Sequence, residues 1–224
     1  MTQRGAIAYL FHVEQTKELA RWSSDIGVPL SHEQLGLFQT YVRELQVWNS
    51  KTNLTSLTDP QEIIAKHFVD SLACSKGIAM FGNDVNILDI GSGAGFPGLP
   101  LKIAFPKINV TLLDPASKKI AFLRHMIGTL QMTNVKAIQK TLQAFAADLA
   151  NHRTFSCVIT RALSMSSIIP RCLELLTAEG RLILCRSRPF SEHEALGGFE
   201  VEGELSYDLP CGYGHRVLTI LKAR

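Results

Sequence analysis

The stretch from Val85 to Gly98, VNILDIGSGAGFPG, constrains the fold of this chain more than any other. Val85, Ile87, Leu88 and Ile90 form the near-continuous apolar run expected of a strand buried on both faces of a parallel sheet. Asp89 falls at the carboxyl end of that run, where open α/β sheets bind their ligands. Gly91, Gly93 and Gly95 alternate, so the backbone can turn tightly and come close to a ligand with no Cβ in the way, and Phe96-Pro97 starts the next helix. A strand running into such a turn is a place for a nucleoside cofactor.

Two cofactors fit these glycines. Gly93, Gly95 and Gly98 match G-x-G-x-x-G, the dinucleotide fingerprint, which is unspecific because glycine turns follow many strands. An acidic residue just before the first glycine favours the other, S-adenosylmethionine. A dinucleotide brings a pyrophosphate, which a helix N-terminus receives best with no carboxylate nearby, whereas S-adenosylmethionine carries an ammonium and a sulfonium and no phosphate. Asp89 repels the first and suits the second. An NAD(P)-dependent oxidoreductase on the same architecture, and an RNA-binding protein without catalysis, remain open as alternatives.

Strand and helix patterns alternate after Val85: strand 85–90, helix 97–104, strand 108–114, helix 117–131, strand 134–139, helix 142–150, strand 155–160, helix 165–177, strand 180–186 and a last strand at 215–222, the final pair antiparallel. Alternation of this kind predicts an α/β fold with a mostly parallel central sheet and helices on both faces. Before it lies a helical extension. Residues 1 to 25 read as one helix; Ser31 and Gln34 form a capping box ahead of Leu35, Phe38, Val42, Leu45 and Trp48 at helical spacing; Asp59-Pro60 opens another helix carrying Ile64, Phe68 and Leu72. The expected organisation is therefore a helical segment, 1–80, packing on a cofactor-binding core, 81–224.

With 46% hydrophobic and 19% charged residues the composition is that of a globular protein, and a formal charge of +3 is compatible with nucleic acid without identifying it. Cys74, Cys157, Cys172, Cys185 and Cys211 are odd in number and never spaced C-x-x-C, which argues against a disulfide framework or a zinc site and for a reducing cytoplasm. No signal-peptide or membrane-span pattern is present, so neither a membrane nor a metal is expected.

Several residues fall where chemistry would need them. Asp114 ends the second strand, 25 positions after Asp89, near the spacing at which an acid receives ribose hydroxyls; it also suits a helix N-cap, with Pro115 next. Lys118 and Lys119 occupy the first turn of the following helix, where the macrodipole disfavours cations, a placement better understood if they face phosphates. Arg124 and His125 extend that basic character, and Arg181, Arg186 and Arg188 gather near a later strand end. Arg161 ends the strand FSCVIT, aimed at the cleft, and Gln143 follows the third strand, where an amide can meet an adenine edge. His67 and Asp70 lie three apart on one helix and read as a structural pair, while Asn53 and Thr55 read as loop-building side chains. No Ser-His-Asp or Cys-His set and no phosphate-loop lysine is visible, which excludes hydrolase and NTPase chemistry.

WNSKTNLT (48–55), DPQEIIAKHFVDSL (59–72), LDIGSGAGFPGLPL (88–101), VTLLDPASKKIAFLR (110–124) and ITRA (159–162) resemble, in order, signature blocks of the bacterial small-subunit rRNA guanine-N7 methyltransferases, the glucose-inhibited division protein B family. The resemblance spans residues 30 to 224. It implies a Rossmann-like class I methyltransferase that uses S-adenosylmethionine to methylate N7 of a guanine in 16S rRNA, the family's guanine-527 site, acting on the rRNA or on a small-subunit assembly intermediate. It also implies that Gly91, Phe96, Asp114, Leu142, Gln143 and Arg161 hold the cofactor, beside the Asp89 and Gly93 of the turn read above, with Arg161 at the catalytic centre, and that Lys118, Lys119, Arg186 and Arg216 contact RNA. Departures from the family pattern are Pro115 for serine, Thr141 and Gln143 for arginine and glutamate, and Arg186-Ser187 for Lys-Gly.

Overall fold

A computed structural model of the 224-residue chain describes residues 3–82, 85–161, 165–190 and 196–224. Ala162 of the ITRA block and the first two residues of the expected 1–25 helix lie outside them. Seven strands form one sheet: β1 (Asn86–Ile90), β2 (Asn109–Leu113), β3 (Val135–Ile138), β4 (Phe155–Thr160), β5 (Leu176–Arg186), β6 (Phe199–Asp208) and β7 (His215–Ala223). Their spatial order is β3-β2-β1-β4-β5-β7-β6. Strands β1 to β5 pair in parallel, and β7 runs antiparallel to both β5 and β6. The order reverses between β1 and β4, so a crevice opens beyond their carboxyl ends, where Asp89 and Arg161 lie.

The period-2 pleat sorts the strand residues into two cores. Ile87, Val110, Leu112, Cys157, Ile159, Ile183 and Leu218 face the helical extension together with α6 (Gly98–Ala104) and α7 (Ser117–Thr129). Leu88, Ile90, Leu113, Val158, Leu182, Leu184 and Leu221 face α8 (Leu142–Ala146) and α9 (Met165–Leu175). The extension comprises α1 (Gln3–Asp25), α2 (His32–Thr52) and a broken helix made of α3 (Pro60–Ile63), a π-helical turn (Ile64–Val69), α4 (Asp70–Ala73) and α5 (Ser75–Ile78). Leu19, Trp22, Phe38, Tyr41, Leu45 and Phe68 from these helices share the first core with the sheet. The expected capping box is present on α2, and the Gln34 amide reaches on to the Ile103 and Ala104 carbonyls, fastening α2 to the end of α6.

Most expected elements fall within two residues of their observed bounds. Three differ, each for a physical reason. The expected helix 142–150 stops at Ala146, because Asp148 accepts a hydrogen bond from the Ala150 N–H and caps a separate 3-10 turn at Leu149–Asn151. Strand β5 starts at Leu176 rather than 180, with a register break between Phe155 and Cys157 on β4; Gly180 permits the irregularity, since a Cβ there would sit 2.9 Å from Leu176 Cδ2. The glycine-bearing segment before the last strand contains β6, so the antiparallel β5–β7 pair is not a hairpin and β6 forms the sheet edge.

Candidate active site

The glycine turn closes tightly on its own backbone. Gly91, Gly93 and Gly95 have φ of 70°, 59° and 102°, left-handed values that favour glycine. A Cβ on Gly95 would lie 2.6 Å from the Tyr41 hydroxyl, but one on Gly93 would meet nothing closer than Gly91 O at 3.8 Å. Gly95 is thus required by packing. Gly93 leaves open space above the turn.

Asp89 is buried on the face that carries α6, and its Oδ2 accepts the Gly98 N–H at 2.9 Å, the first N–H of that helix. Its Oδ1 is buried with no hydrogen-bond partner. Burial raises the carboxyl to a pKa of about 7, against the lowering effects of the Gly98 hydrogen bond and the Arg161 charge. Asp114 accepts from the Gly93 N–H at 3.0 Å and the Ala116 N–H at 2.9 Å, and Lys119 Nζ approaches it at 3.4 Å. Ala116, not Asp114, caps α7. A carboxylate has about four acceptor positions, so roughly one remains for a ribose hydroxyl. Beside it a cleft of about 210 Å³ is lined by Ile90, Gly91, Leu113, Thr141, Leu142 and Gln143 among others. Ligand sites for whole drug-sized molecules start at about 300 Å³, so this cleft suits the nucleoside half of a cofactor. Thr141 caps α8 by accepting from the Ala144 N–H, which sets Leu142 and Gln143 in the helix's first turn.

Arg161 turns from the end of β4 into the helical extension rather than standing free in the cleft. Its Nη2 meets Asp70 Oδ2 at 2.6 Å and the Lys66 carbonyl at 2.8 Å, and its Nη1 donates to Ser71 Oγ at 3.2 Å. Asp70 is also the partner of Tyr207, whose hydroxyl donates to Oδ1 at 2.7 Å, and Arg216 Nε lies 3.7 Å away. One buried carboxylate, at the start of α4 just after the π-helical turn, therefore links the helical extension to the end of β4 and to β6 and β7. His67 does not pair with Asp70. It stacks on Phe96 with ring centroids 4.3 Å apart, and its Nε2 meets Thr55 Oγ1 at 3.0 Å. Burial and the Arg161 charge lower its pKa to about 3. Phe96 is buried among His67, Tyr41 and Phe68.

The basic residues disperse. Lys118 is exposed, whereas Lys119 leans on Asp114. His125 pairs with Glu44 at 2.9 Å and packs on Trp48, so it fastens α7 to α2 instead of extending a basic face. Arg181 sits midway along β5, five residues before Arg186, and is held by both Glu202 oxygens, at 2.6 and 2.7 Å. Arg186 lies over the Phe190 ring at 4.9 Å. Asn53 is the left-handed C-cap of α2, and Asn49 and Thr55 shape the loop by exchanging hydrogen bonds.

A family model described as rRNA small subunit methyltransferase G matches residues 34–198. The chain belongs to this family. Within it, a ribosomal RNA small subunit methyltransferase G from Staphylococcus haemolyticus is 36% identical over 214 residues, covering 92% of this chain and 88% of the relative. One from Chloroflexus aggregans is 39% identical over 163 residues, covering 72% and 68%. Among solved structures, precorrin-6y C5,15-methyltransferase from Geobacter metallireducens has the same fold, with a TM-score of 0.52 at 15% identity over 68% of this chain and 88% of that one. Membership in a methyltransferase family decides against the oxidoreductase alternative. No helix among the described residues is long and apolar enough to cross a membrane.

Tyr207 and Ser71 carry no site signal in the sequence, and Asp70, expected to pair with His67, pairs instead with Arg161 and Tyr207. Asp70 and Arg161 are 91 positions apart, and only the sheet topology brings them together. The one signal was an acidic residue at a helix position where Phe68, Val69 and Leu72 around it are apolar.

Proposed function

We propose that this methyltransferase moves a methyl group from S-adenosylmethionine to N7 of a guanine in 16S rRNA, at the family's guanine-527 site, by in-line transfer without a general base. The observation that carries the reading is the state of His67: half-buried, engaged by Thr55 and lowered to a pKa of about 3, it has almost no basicity to contribute. Guanine N7 has an in-plane lone pair and no proton, so it asks for none.

The chain's residues fit the cofactor. Asp89 presents a buried, unpartnered carboxylate oxygen suited to an ammonium or sulfonium, Asp114 retains an acceptor for ribose, and the Leu142–Gln143 wall suits a purine. When bound, S-adenosylmethionine supplies an electrophilic methyl group. What the protein adds is placement, which supplies about 7–11 kcal/mol in well-oriented reactions. The glycine turn lets the backbone approach closely, and the bonds of Arg161 to Asp70 and the Lys66 carbonyl hold it at the carboxyl end of β4, beside the crevice. The RNA, free or in an assembling subunit, meets the enzyme in the cytoplasm with its target base out of the stack.

Mass spectrometry of 16S rRNA digests from a deletion strain is expected to lack 7-methylguanine at that site and to regain it with the cloned gene. Single-turnover rates at saturating cofactor and RNA should be flat between about pH 6.5 and 8.5, in the parent and in His67→Ala alike. A log-rate slope near one that vanishes in His67→Ala, or a methyl on another atom, refutes the reading.

A further inference from the structure

The turn between β6 and β7, Leu209–Gly214, lies at the carboxyl edge of the sheet, beside the π-helical segment. It holds one aromatic side chain, Tyr213. The backbone around that residue is unusual: Cys211, Gly212 and Gly214 have φ of 55°, 69° and 114°. Left-handed backbone is unfavourable for a non-glycine residue such as Cys211, and strain of this kind concentrates at functional positions. The turn is closed by the Leu209 N–H on Gly214 O at 2.9 Å and the Tyr213 N–H on Pro210 O at 3.2 Å.

Tyr41, Tyr207 and Tyr213 are used differently. Tyr41 is buried with its hydroxyl on the Ala94 carbonyl, and Tyr207 donates to Asp70. Tyr213 is partly exposed and carries a cation against its ring, Lys66 Nζ at 4.7 Å from the centroid. The same lysine gives its carbonyl to Arg161, which follows β4 at the carboxyl edge of the sheet. Charge does not accumulate here. Lys66 is paired with Glu62 at 2.6 Å, and desolvation together with the Glu62 and Asp59 charges raises the pKa of the Tyr213 hydroxyl. An aromatic surface at the carboxyl edge of an RNA-modifying enzyme's sheet, with no excess of positive charge beside it, is suited to the face of a base rather than to a phosphate.

We propose that Tyr213 is a stacking platform for an unpaired base of the rRNA loop next to the target guanine, with Lys66 backing its ring. This rests on the rRNA methylation reading above. Stacking needs the ring and not the hydroxyl, and it neutralises no phosphate, which together separate it from a polar or electrostatic contact. It also places RNA recognition on the β6–β7 turn, far in sequence from the glycine turn.

The test compares Tyr213→Ala and Tyr213→Phe with the parent. Binding of fluorescein-labelled 16S rRNA is followed by anisotropy across a salt series, methylation of small subunits from a deletion strain is followed by initial rates, and S-adenosylmethionine binding by calorimetry. Tyr213→Ala should weaken RNA binding about 5- to 150-fold, the range measured for losing one stacked base, with an unchanged slope of log K against log salt. Tyr213→Phe should stay within about twofold of the parent, and cofactor affinity should be equal in all three. The proposal fails if Tyr213→Ala binds RNA as the parent does, if Tyr213→Phe is as weak as Tyr213→Ala, or if the salt slope falls. Should the parent bind RNA without methylating it, the methylation reading fails, while the binding comparison still decides the role of Tyr213.

Discussion

Replacing Asp70 with alanine removes the anion that Arg161, Arg216 and the Tyr207 hydroxyl share. Asp70 is 1% exposed, and the Arg161 and Arg216 side chains retain 18% and 24% of their exposure. Breaking a buried ion pair by deleting one partner costs about 3–5 kcal/mol, because the other charge is left in a poorly solvating site. Two features place this case near the lower end. Arg161 keeps its hydrogen bonds to the Lys66 carbonyl and Ser71, and Arg216, at 3.7 Å and partly exposed, contributes little. The lost Tyr207 hydrogen bond adds about 1 kcal/mol. The expected loss is therefore ~3–4 kcal/mol, which at about 2–4 °C per kcal/mol for a chain of this size lowers Tm by ~6–16 °C. Urea unfolding monitored by fluorescence and by circular dichroism measures it, and coincident transitions license the two-state fit. A double-mutant cycle with Arg161→Met should return a coupling of more than about 1 kcal/mol, since the pair is in direct contact. A loss below about 1 kcal/mol, or additive single effects, would show that the Asp70 cluster does not tie the helical extension to the sheet.

Asp89 should make cofactor binding pH-dependent. Its folded pKa of about 7 lies above its unfolded value, so between about pH 4 and 7 the native state binds the extra proton and stability falls as pH rises through that window. A cationic cofactor needs the ionised form, so calorimetry should show affinity weakening about tenfold per pH unit below 7, a dependence absent from Asp89→Asn; parallel profiles would remove Asp89 from the cofactor site. Lys118→Ala should flatten the salt dependence of RNA binding by up to ~0.7 in log-log slope, whereas Lys119→Ala, which frees Asp114, should alter cofactor affinity instead; identical slopes for Lys118→Ala and parent would clear that lysine of phosphate contact.

The legible parts of the chain were those governed by local rules. The strand 86–90, its glycine turn, the Ser31 capping box and the Asp59 N-cap are set by side chains within a few residues of one another, and all are present. Strand β6 was legible in principle. Phe199, Val201, Leu205 and Tyr207 alternate with Glu200, Glu202, Glu204 and Asp208, but Gly197, Gly198 and Gly203 read as loop, and an edge strand exposes apolar residues such as Val201 on a face no helix covers. The site divided along the same line. Asp89 and Asp114 stand at the strand ends where their spacing puts them, whereas the partners of Arg161, Arg181 and His125 come from 91, 21 and 81 positions away. Nothing in a local window tells an arginine that faces solvent from one that crosses to a distant helix.

The π-helical turn at Ile64–Val69 is, in effect, a helix with one residue too many. Each residue advances an α-helix by about 100°, so shortening this segment by one would let the helix close with regular hydrogen bonds while rotating everything after it by more than a quarter turn. His67 would keep its place against Phe96, but Asp70 would swing away from Arg161 and Tyr207. The helix's angular phase is thus what lets one segment serve two neighbours, and its length is fixed to the single residue.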